Sequence, residues 1–384
     1  MSADAPVYLD YAATTPVDPR VAAAMGECLT REGVFGNASS THHYGRQARE
    51  RVEAARGCAA ALIRAAAPQL IWTSGATESN NLAIFGSARA ARAGHLITAR
   101  SEHKAVLDPC RRLEQEGFQV TYLKPDSDGL IAPEQVEAAL RDDTVLVSIM
   151  HANNEIGVLQ DIQAISVVCR ARAVPLHVDA AQSAGKVQVD VGELGCDLLS
   201  FTAHKLYGPK GIGALYLTPE RRASLQPLIY GGGQERGLRS GTLAVHQIVG
   251  FGVACELASA ESAANAQHCE RLRARLWRGL AELDGVLFNG HPTQRVANIL
   301  NVCFAGVEGE SLLMGLPELA LSTGSACNSE HDEPSYVLRA LGRDTEQAQS
   351  SLRFSFGRFT REQDVDLALA AVTREVRRLR AALP

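Results

Sequence analysis

The chain has 384 residues, of which 46% are hydrophobic and 21% are charged, and its formal net charge is −5. This length fits a large and a small domain, and the composition is typical of a globular protein. The negative charge argues against direct binding to nucleic acid or to an anionic membrane. No apolar run reaches the roughly 18 residues that a membrane span requires. The N-terminus has no basic and apolar leader, so we expect a cytoplasmic protein.

Helical and strand-like segments alternate from about residue 45 to 220. Several strand candidates are apolar throughout, which indicates burial on both faces and predicts an α/β fold with a mostly parallel central sheet flanked by helices. Such sheets bind ligands beyond the carboxyl ends of their strands. The helix candidates are 45–66, 77–92, 103–116, 132–141 and 161–172, and the strand candidates are 69–74, 95–99, 118–123, 144–150, 174–179, 197–202 and 212–217.

A long helix over about 243–282 leads from this region into a smaller α+β unit. That unit has strand candidates at 296–304 and 351–355 and ends in an amphipathic helix over about 361–381. We place the large domain at 15–258 and the small domain at 1–14 and 259–384. The small domain also carries an exposed, mobile loop at about 322–334.

Lys205 follows the apolar run 198–204 and precedes a turn rich in glycine and proline. An amine at the mouth of a buried strand is desolvated, and it can form a Schiff base with an aldehyde cofactor. Asp179 ends another apolar strand upstream. The pair suits pyridoxal 5'-phosphate (PLP), because the lysine holds the aldehyde and the carboxylate keeps the pyridine nitrogen protonated.

Residues 73–80 follow a strand candidate and open a helix candidate. The free backbone N–H groups and the helix dipole at such a point make an anion site, so we expect a cofactor phosphate there. Taken alone, the same residues also suit an ordinary N-cap by Ser74 or Thr77. The presence of Lys205 and Asp179 in the same domain favours the phosphate.

Further polar residues follow the predicted strands. His103 comes after the strand 95–99, where its ring can stack on a pyridine and exchange protons near neutral pH, although a lone histidine is more often structural. Thr202 and His204 flank Lys205 and can add donors to the phosphate. Asn154 and Gln182 can hydrogen-bond the phenolic ring oxygen of the cofactor or a substrate carboxylate.

The chain holds nine cysteines at irregular spacing. Neither a disulfide framework nor a zinc module is indicated, and a reducing compartment is expected. Most of these cysteines lie in apolar or helical context, which is typical of a small buried hydrophobe. Cys327 differs, because small, polar and acidic residues surround it and Pro334 closes the stretch. An exposed thiol there can ionise and attack, and an incidental surface cysteine is the alternative.

Arg353 lies within the strand candidate 351–355 of the small domain. An arginine in such a place usually has a fixed anionic partner. A bidentate grip on a substrate α-carboxylate is the functional interpretation, and a structural ion pair is the alternative.

Together these stretches resemble the cysteine desulfurases of the NifS/IscS type, which are class V members of the fold-type I PLP-dependent enzymes. The resemblance covers nearly the whole chain in order. It implies a fold-type I PLP-dependent transferase with a large α/β domain and a smaller α+β domain. The matching stretches are 8–16, 73–80, 151–158, 179–182, 204–211, 239–242 and 325–336.

The resemblance also implies roles for the matching residues. Asn154 and Arg353 would hold the substrate, and Cys327 would accept sulfur. Thr242 would reach the phosphate from a second subunit, which implies a homodimer. The residues that would contact PLP within one subunit are Ala76, Thr77, His103, Asn154, Asp179, Gln182, Thr202, His204 and Lys205.

The activity that this resemblance implies is conversion of L-cysteine to L-alanine, with the sulfur held on Cys327 as a persulfide for delivery to acceptor proteins. Iron–sulfur cluster assembly, tRNA thiolation and DNA phosphorothioation are open as destinations. The rival interpretations are a selenocysteine lyase, a plain class V aminotransferase and an inactive sulfur-delivery scaffold. A transaminase needs no loop thiol, so Cys327 argues against it. Intact Lys205, Asp179 and Cys327 argue against the scaffold.

Overall fold

A computed structural model of the protein describes residues 5–323 and 334–382. Its first part alternates helices with strands, as the sequence predicts. The strands are β1 (Val7–Tyr8), β2 (Leu70–Thr73), β3 (His95–Ala99), β4 (Gln119–Leu123), β5 (Thr144–Met150), β6 (Leu176–Asp179), β7 (Leu198–Thr202) and β8 (Gly213–Leu217). The helices are α1 (Pro19–Gly26), α2 (His43–Leu62), α3 (Ala76–Ala91), α4 (Lys104–Gln115), α5 (Pro133–Ala139), α6 (Ile162–Ala171), α7 (Val191–Leu194) and α8 (Pro219–Ser224).

The second part begins with the long helix α9 (Val245–Leu280). The strands that follow are β9 (Val286–Phe288), β10 (Ile299–Phe304), β11 (Leu319–Ala320), β12 (Ser322–Thr323) and β13 (Ser351–Ser355). The helices are α10 (Gly309–Met314), α11 (Tyr336–Ala340), α12 (Thr345–Gln349) and α13 (Glu362–Ala381).

The central sheet has seven strands in the order β2-β8-β7-β6-β5-β3-β4. Strand β8 is antiparallel to both of its neighbours, and the other pairs are parallel. The sheet is therefore mixed but mostly parallel, which agrees with the prediction. Parallel pairing brings the carboxyl ends of β3, β5, β6 and β7 to one edge, and Asp179 at the end of β6 pairs with Met150 at the end of β5.

Both faces of this sheet are buried, because successive side chains along a strand point to opposite sides. Leu199 packs into a core that α2 and α9 cover, whereas its neighbour Leu198 packs into a core with residues of α3 and α4. This double burial explains the continuous apolar runs of the strands. The strand β7 is buried from Leu198 to Thr202.

A separate hydrophobic core lies around an antiparallel sheet in the order β12-β13-β10-β9. The helix α9 contributes to both regions, since Val245 to Ala258 pack with the central sheet and Cys269 to Leu280 pack with the second core. The strand β1 pairs in parallel with β11, and Leu9 joins the second core. The N-terminal segment therefore runs from the second core to the edge of the central sheet.

The described part of the chain contains no helix with the length and apolarity needed to cross a bilayer. The cysteines at positions 28, 58, 110, 169, 196, 255, 269 and 303 are all free thiols.

Candidate active site

One cleft of about 710 Å³ lies at the carboxyl edge of the central sheet. Thr242 does not line it and is exposed elsewhere on the same chain. Cys327 falls outside the described residues. The other predicted site residues all line the cleft: Ala76, Thr77, His103, Asn154, Asp179, Gln182, Thr202, His204, Lys205 and Arg353.

Lys205 lies on a single 3-10 turn, Ala203–Lys205, which directly follows β7. Its amine donates hydrogen bonds to the carbonyl oxygens of Ala12 and Ala13, the latter at 2.6 Å. These carbonyls belong to the N-terminal segment that closes one side of the cleft. Two backbone carbonyl oxygens therefore hold the amine at the wall of the cleft.

Asp179 ends β6, and 5% of its surface is exposed. Its Oδ2 atom accepts a hydrogen bond from Nδ2 of Asn80 at 2.7 Å, and its Oδ1 atom accepts one from the backbone N–H of Ala181 at 2.9 Å. Two donors on different elements fix the plane of the carboxylate. A buried, oriented carboxylate of this kind can hold a protonated pyridine nitrogen.

The start of α3 leaves its first backbone N–H groups without a side-chain cap. The N-cap residue is Gly75, so neither Ser74 nor Thr77 caps this helix, in contrast to the alternative considered above. A β-carbon on Gly213 would lie 2.6 Å from the α-carbon of Gly75, so only glycine on β8 allows this close packing. The uncapped N–H groups and the positive end of the helix dipole face the cleft as an anion site.

His204 and Thr202 lie beside this helix start. Nδ1 of His204 is 3.2 Å from Oγ1 of Thr14, and the hydroxyl of Thr202 donates to the carbonyl of Ile212 at 3.1 Å. Burial, together with the charges of Lys205 and other nearby lysines, lowers the pKa of His204 to about 4. The imidazole is therefore neutral near pH 7, and the surrounding amines make this end of the cleft electropositive.

His103 is the N-cap of α4, where its Nδ1 atom accepts a hydrogen bond from the backbone N–H of Ala105 at 3.0 Å. This contact assigns the ring proton of the neutral imidazole to Nε2. Burial lowers the pKa of His103, and the carboxylate of Asp179 acts in the opposite direction. The ring is oriented by its capping role and lines the cleft.

Arg353 projects from β13 and is 6% exposed. Its guanidinium donates to Oδ1 of Asp10 at 2.7 Å and to the backbone carbonyl of Asn154 at 2.9 Å. Among residues 5–323 and 334–382, its buried Nε atom has no hydrogen-bond partner, and neither has Oδ1 of Asn154. The structure therefore contains the ion pair between Arg353 and Asp10. Two buried polar atoms next to this pair, Nε of Arg353 and Oδ1 of Asn154, make no hydrogen bond within the described residues.

Gln182 follows β6 and bridges two parts of the site. Its Nε2 atom donates to the carbonyl of Ala12 at 2.8 Å, and its Oε1 atom accepts from the amine of Lys186 at 2.5 Å. Gln182 is 3% exposed. Its amide is therefore held from both sides.

The residues of the cleft fit PLP. A primary amine, a buried carboxylate and an uncapped helix start lie around one cavity of sufficient size for a small cofactor. These features match the three groups of PLP that need partners: the aldehyde, the pyridine nitrogen and the phosphate.

Three contacts of the site were not predicted from the sequence: Asn80 on Asp179, Asp10 on Arg353, and Lys186 on Gln182. Asn80 is a polar residue that is fully buried on α3. Its place at the end of the stretch 73–80 was the sequence signal that could have indicated a role.

One described flank of the segment 324–333 lines the cleft, and the other contacts the residue before His103. Ser322 lines it and pairs with Arg353 across β12 and β13. On the other flank, the hydroxyl of Tyr336 donates to the carbonyl of Glu102 at 2.8 Å, next to His103.

Known proteins with similar sequences show the family to which this chain belongs. The profile of the class-V aminotransferase family matches residues 7–368. A cysteine desulfurase IscS of Acinetobacter baumannii strain AYE is 57% identical over 383 residues, which span 99% of this chain and 95% of that protein.

Two solved structures share the fold over nearly their whole length. A NifS-like protein superposes with a TM-score of 0.90 at 36% identity and covers 97% of this chain and 100% of its own. A structure described as SspA in complex with cysteine has a TM-score of 0.82 at 40% identity, covering 92% of this chain and 99% of its own. The chain therefore belongs to the class-V aminotransferase family and, within it, to the PLP-dependent cysteine desulfurases.

Proposed function

We propose that this chain removes the sulfur of L-cysteine, releases L-alanine and holds the sulfur on Cys327 as a persulfide. The observation that carries the proposal is the convergence of Lys205, Asp179 and the uncapped start of α3 on one cleft, which Ser322 on one flank of 324–333 also lines. Cysteine is also the ligand named for one related structure.

Each end of the cleft would hold one part of the cofactor. Lys205 would bind the aldehyde through Nζ, and Asp179 would keep the pyridine nitrogen protonated. The backbone of Ala76 and Thr77, with the side chains of Thr202 and His204, would hold the phosphate. When bound, PLP withdraws electrons from the bonds at the α-carbon of an amino acid.

The substrate would be oriented by the second side of the cleft. Arg353 lines the cleft, and its two terminal nitrogens donate one hydrogen bond each, to the Asn154 carbonyl and to Asp10. A carboxylate is the natural acceptor for a guanidinium. Asp10 and the Asn154 carbonyl hold Arg353 in place, so the guanidinium needs little reorganisation when substrate arrives.

Proton movements fall to Lys205 and His103. With PLP and substrate in the cleft, Nζ of Lys205 would take the α-proton of the substrate. His103 carries its exchangeable proton on Nε2 because Nδ1 is occupied by Ala105. It can therefore donate or accept at the cleft side.

Sulfur transfer requires a thiolate. In this step the thiolate of Cys327 attacks the sulfur of the substrate, an S–S bond forms, and the C–S bond breaks. The electron pair of that bond passes to the substrate β-carbon, which takes a proton and leaves as alanine. No oxidant is needed, because the two-electron oxidation of the thiol is balanced by reduction of the carbon.

The other eight cysteines are poorly suited to this step. Burial raises the pKa of each of them, to about 12 for Cys110, Cys169 and Cys196. A thiol with such a pKa is a poor source of thiolate at neutral pH. Cys327 differs from these eight cysteines, because the residues around it in the sequence are small, polar or acidic.

A homodimer is part of the proposal. Thr242 is exposed and does not reach the cleft of its own chain. The resemblance assigns it to the phosphate of a neighbouring subunit, and its exposure is compatible with that role.

We propose further that the persulfide passes by thiol exchange to acceptor proteins in the cytoplasm. Iron–sulfur assembly, tRNA thiolation and DNA phosphorothioation are the candidate destinations.

The variant Cys327→Ser tests the proposal. It should retain PLP and still change its visible spectrum with L-cysteine, because those steps use residues of the cleft. Alanine formation should fall to almost nothing, since a hydroxyl cannot accept sulfur as a thiolate does. The matched control is Cys58→Ser, a partly accessible cysteine elsewhere, which should behave like the wild type. Wild-type alanine production by Cys327→Ser would contradict a persulfide on Cys327, whereas 3-mercaptopyruvate would indicate transamination and pyruvate with ammonia would indicate elimination.

A further inference from the structure

Lys186 lies directly behind Gln182 on the coil that follows β6. Successive turns of this coil are closed by backbone hydrogen bonds, including one from the N–H of Lys186 to the carbonyl of Ser183 at 3.0 Å. The four-residue spacing places the two side chains on the same side. The amine of Lys186 then donates to Oε1 of Gln182 at 2.5 Å.

The surroundings of Lys186 show that this placement is specific. Gly185 has a φ of +69°, and a β-carbon there would lie 2.6 Å from Cδ2 of Leu206, so glycine is required at this turn. Lys186 and Lys205 both line a small cavity of about 50 Å³. The residue keeps some accessibility because it faces this cavity, while the protein around it still desolvates the amine.

Gln182 links this buried amine to the cofactor lysine. The carbonyl of Ala12 accepts hydrogen bonds both from Nε2 of Gln182 and from the amine of Lys205. A chain of contacts therefore runs from Lys186 through Gln182 and Ala12 to Lys205. Neither the reaction nor the family resemblance assigns a role to Lys186.

An amide side chain can present either its oxygen or its NH₂ group to a ligand. The amine of Lys186 donates to Oε1 and holds this oxygen on the far side, while Nε2 faces Ala12 and the cleft. Without Lys186, the amide could turn and offer its oxygen to the cleft. An oxygen there would repel the anionic ring oxygen of PLP, whereas an N–H group binds it.

We propose that Lys186 is a positioning residue that locks the amide of Gln182 so that an N–H group faces the ring oxygen of PLP. This inference rests on the proposed function, because it needs the cofactor in the cleft with its ring oxygen toward Gln182.

The hydrogen bond from Lys186 to Gln182 does not require a charged amine. Burial, followed by the charge of Lys205, lowers the pKa of Lys186 to about 7. A neutral amine still donates to the amide oxygen, so the positioning role does not depend on the charge. The titratable or charged groups that surround Lys186 are Tyr11, Lys205, Tyr207, Cys269, Arg353 and Arg358.

The pH titration of the bound cofactor's visible absorbance tests this inference in the intact holoenzyme. A donor to the ring oxygen favours the deprotonated linkage between PLP and Lys205. Lys186→Met should therefore raise the midpoint of the titration by about half to one pH unit. Lys186→Gln keeps a donor without the charge and should restore most of the wild-type midpoint. Lys124→Met, on an exposed lysine, is the control and should leave the midpoint unchanged.

A double-mutant cycle separates positioning from a general loss of stability. In the background of Gln182→Leu, removal of Lys186 should cause little additional shift, because the amide that it positions is absent. Gln182→Glu should raise the midpoint although Lys186 is present, because it offers no N–H group.

An unchanged midpoint in Lys186→Met, or an equal shift in both backgrounds, would overturn the inference while leaving the proposed function intact. A wild-type protein that binds no PLP would overturn both. If Lys186→Met does not fold, the midpoints of Lys186→Gln and Gln182→Glu still decide the matter.

Discussion

Substitution of Arg353 by lysine distinguishes a substrate grip from a structural ion pair. The guanidinium uses one nitrogen on Asp10 and one on the carbonyl of Asn154, and it retains a buried Nε donor. A lysine keeps the positive charge but has a single nitrogen without the planar fork. It can therefore satisfy Asp10 or a substrate carboxylate, but it cannot hold both in this geometry.

The size of the effect follows from the bond that is lost. A hydrogen bond between charged groups contributes about 1.5–3 kcal/mol, and about 1.4 kcal/mol corresponds to a factor of ten. We therefore expect KM for L-cysteine to rise about 10- to 100-fold in Arg353→Lys. The change in kcat should be smaller, because the carboxylate is held in the ground state as well as in the transition state.

Steady-state alanine formation over a range of L-cysteine concentrations measures both parameters, and a thermal melt of the same protein reports folding. The control is Arg275→Lys, whose exposed ion pair with Asp366 at 2.6 Å lies elsewhere. That variant should keep the wild-type KM. A folded Arg353→Lys enzyme with unchanged KM and a lowered melting temperature would refute the substrate grip and leave a structural ion pair.

Three further predictions concern Lys205, Thr242 and the buried His177. Lys205→Ala should lose the visible absorbance of PLP and its activity, and a borohydride-trapped lysine adduct elsewhere would contradict the assignment. Thr242→Ala should remain a dimer in sedimentation but lose PLP several-fold faster on dialysis; a fully active monomer that retains PLP would contradict the shared site. His177 is fully buried between Ser148 and Ser200, and burial lowers its pKa to about 3. Below about pH 6.5 the unfolded chain therefore binds a proton at His177 that the folded chain does not bind. The free energy of unfolding of the wild type consequently falls as the pH falls. The free energy of unfolding lost by His177→Gln should accordingly be about 2 kcal/mol smaller at pH 5 than at pH 7 in urea titrations, and an equal loss at both values would refute it.

The long elements of the fold were predictable because their patterns are local. The strand Ser351–Ser355 was predicted with its observed bounds, and the α/β alternation follows from apolar runs that need burial on both sides. The strands β1 and β11 were missed. Each has two residues, and they form only because Val7 meets Leu319 across the chain. A pairing so distant in sequence leaves no periodic signal.

The site divides in the same way. Asp179 was predictable because a carboxylate at the end of an apolar strand is unusual, and the sheet places such ends together. The sequence did not indicate the roles of three other residues, because those roles depend on the side chains that they contact. These residues are Asn80, Asp10 and Lys186. The 3-10 turn that carries Lys205 was also missed, since it depends on packing of residues beyond β7 rather than on a run of like residues.

The central claim is that sulfur leaves L-cysteine by transfer to Cys327. Mass spectrometry of peptides from the wild-type protein, taken after brief exposure to L-cysteine and blocking of free thiols, tests this directly. The account predicts one additional sulfur atom on the peptide that contains Cys327, formed together with alanine. Alanine formed without sulfur on that peptide, or sulfur held by another cysteine, would contradict it.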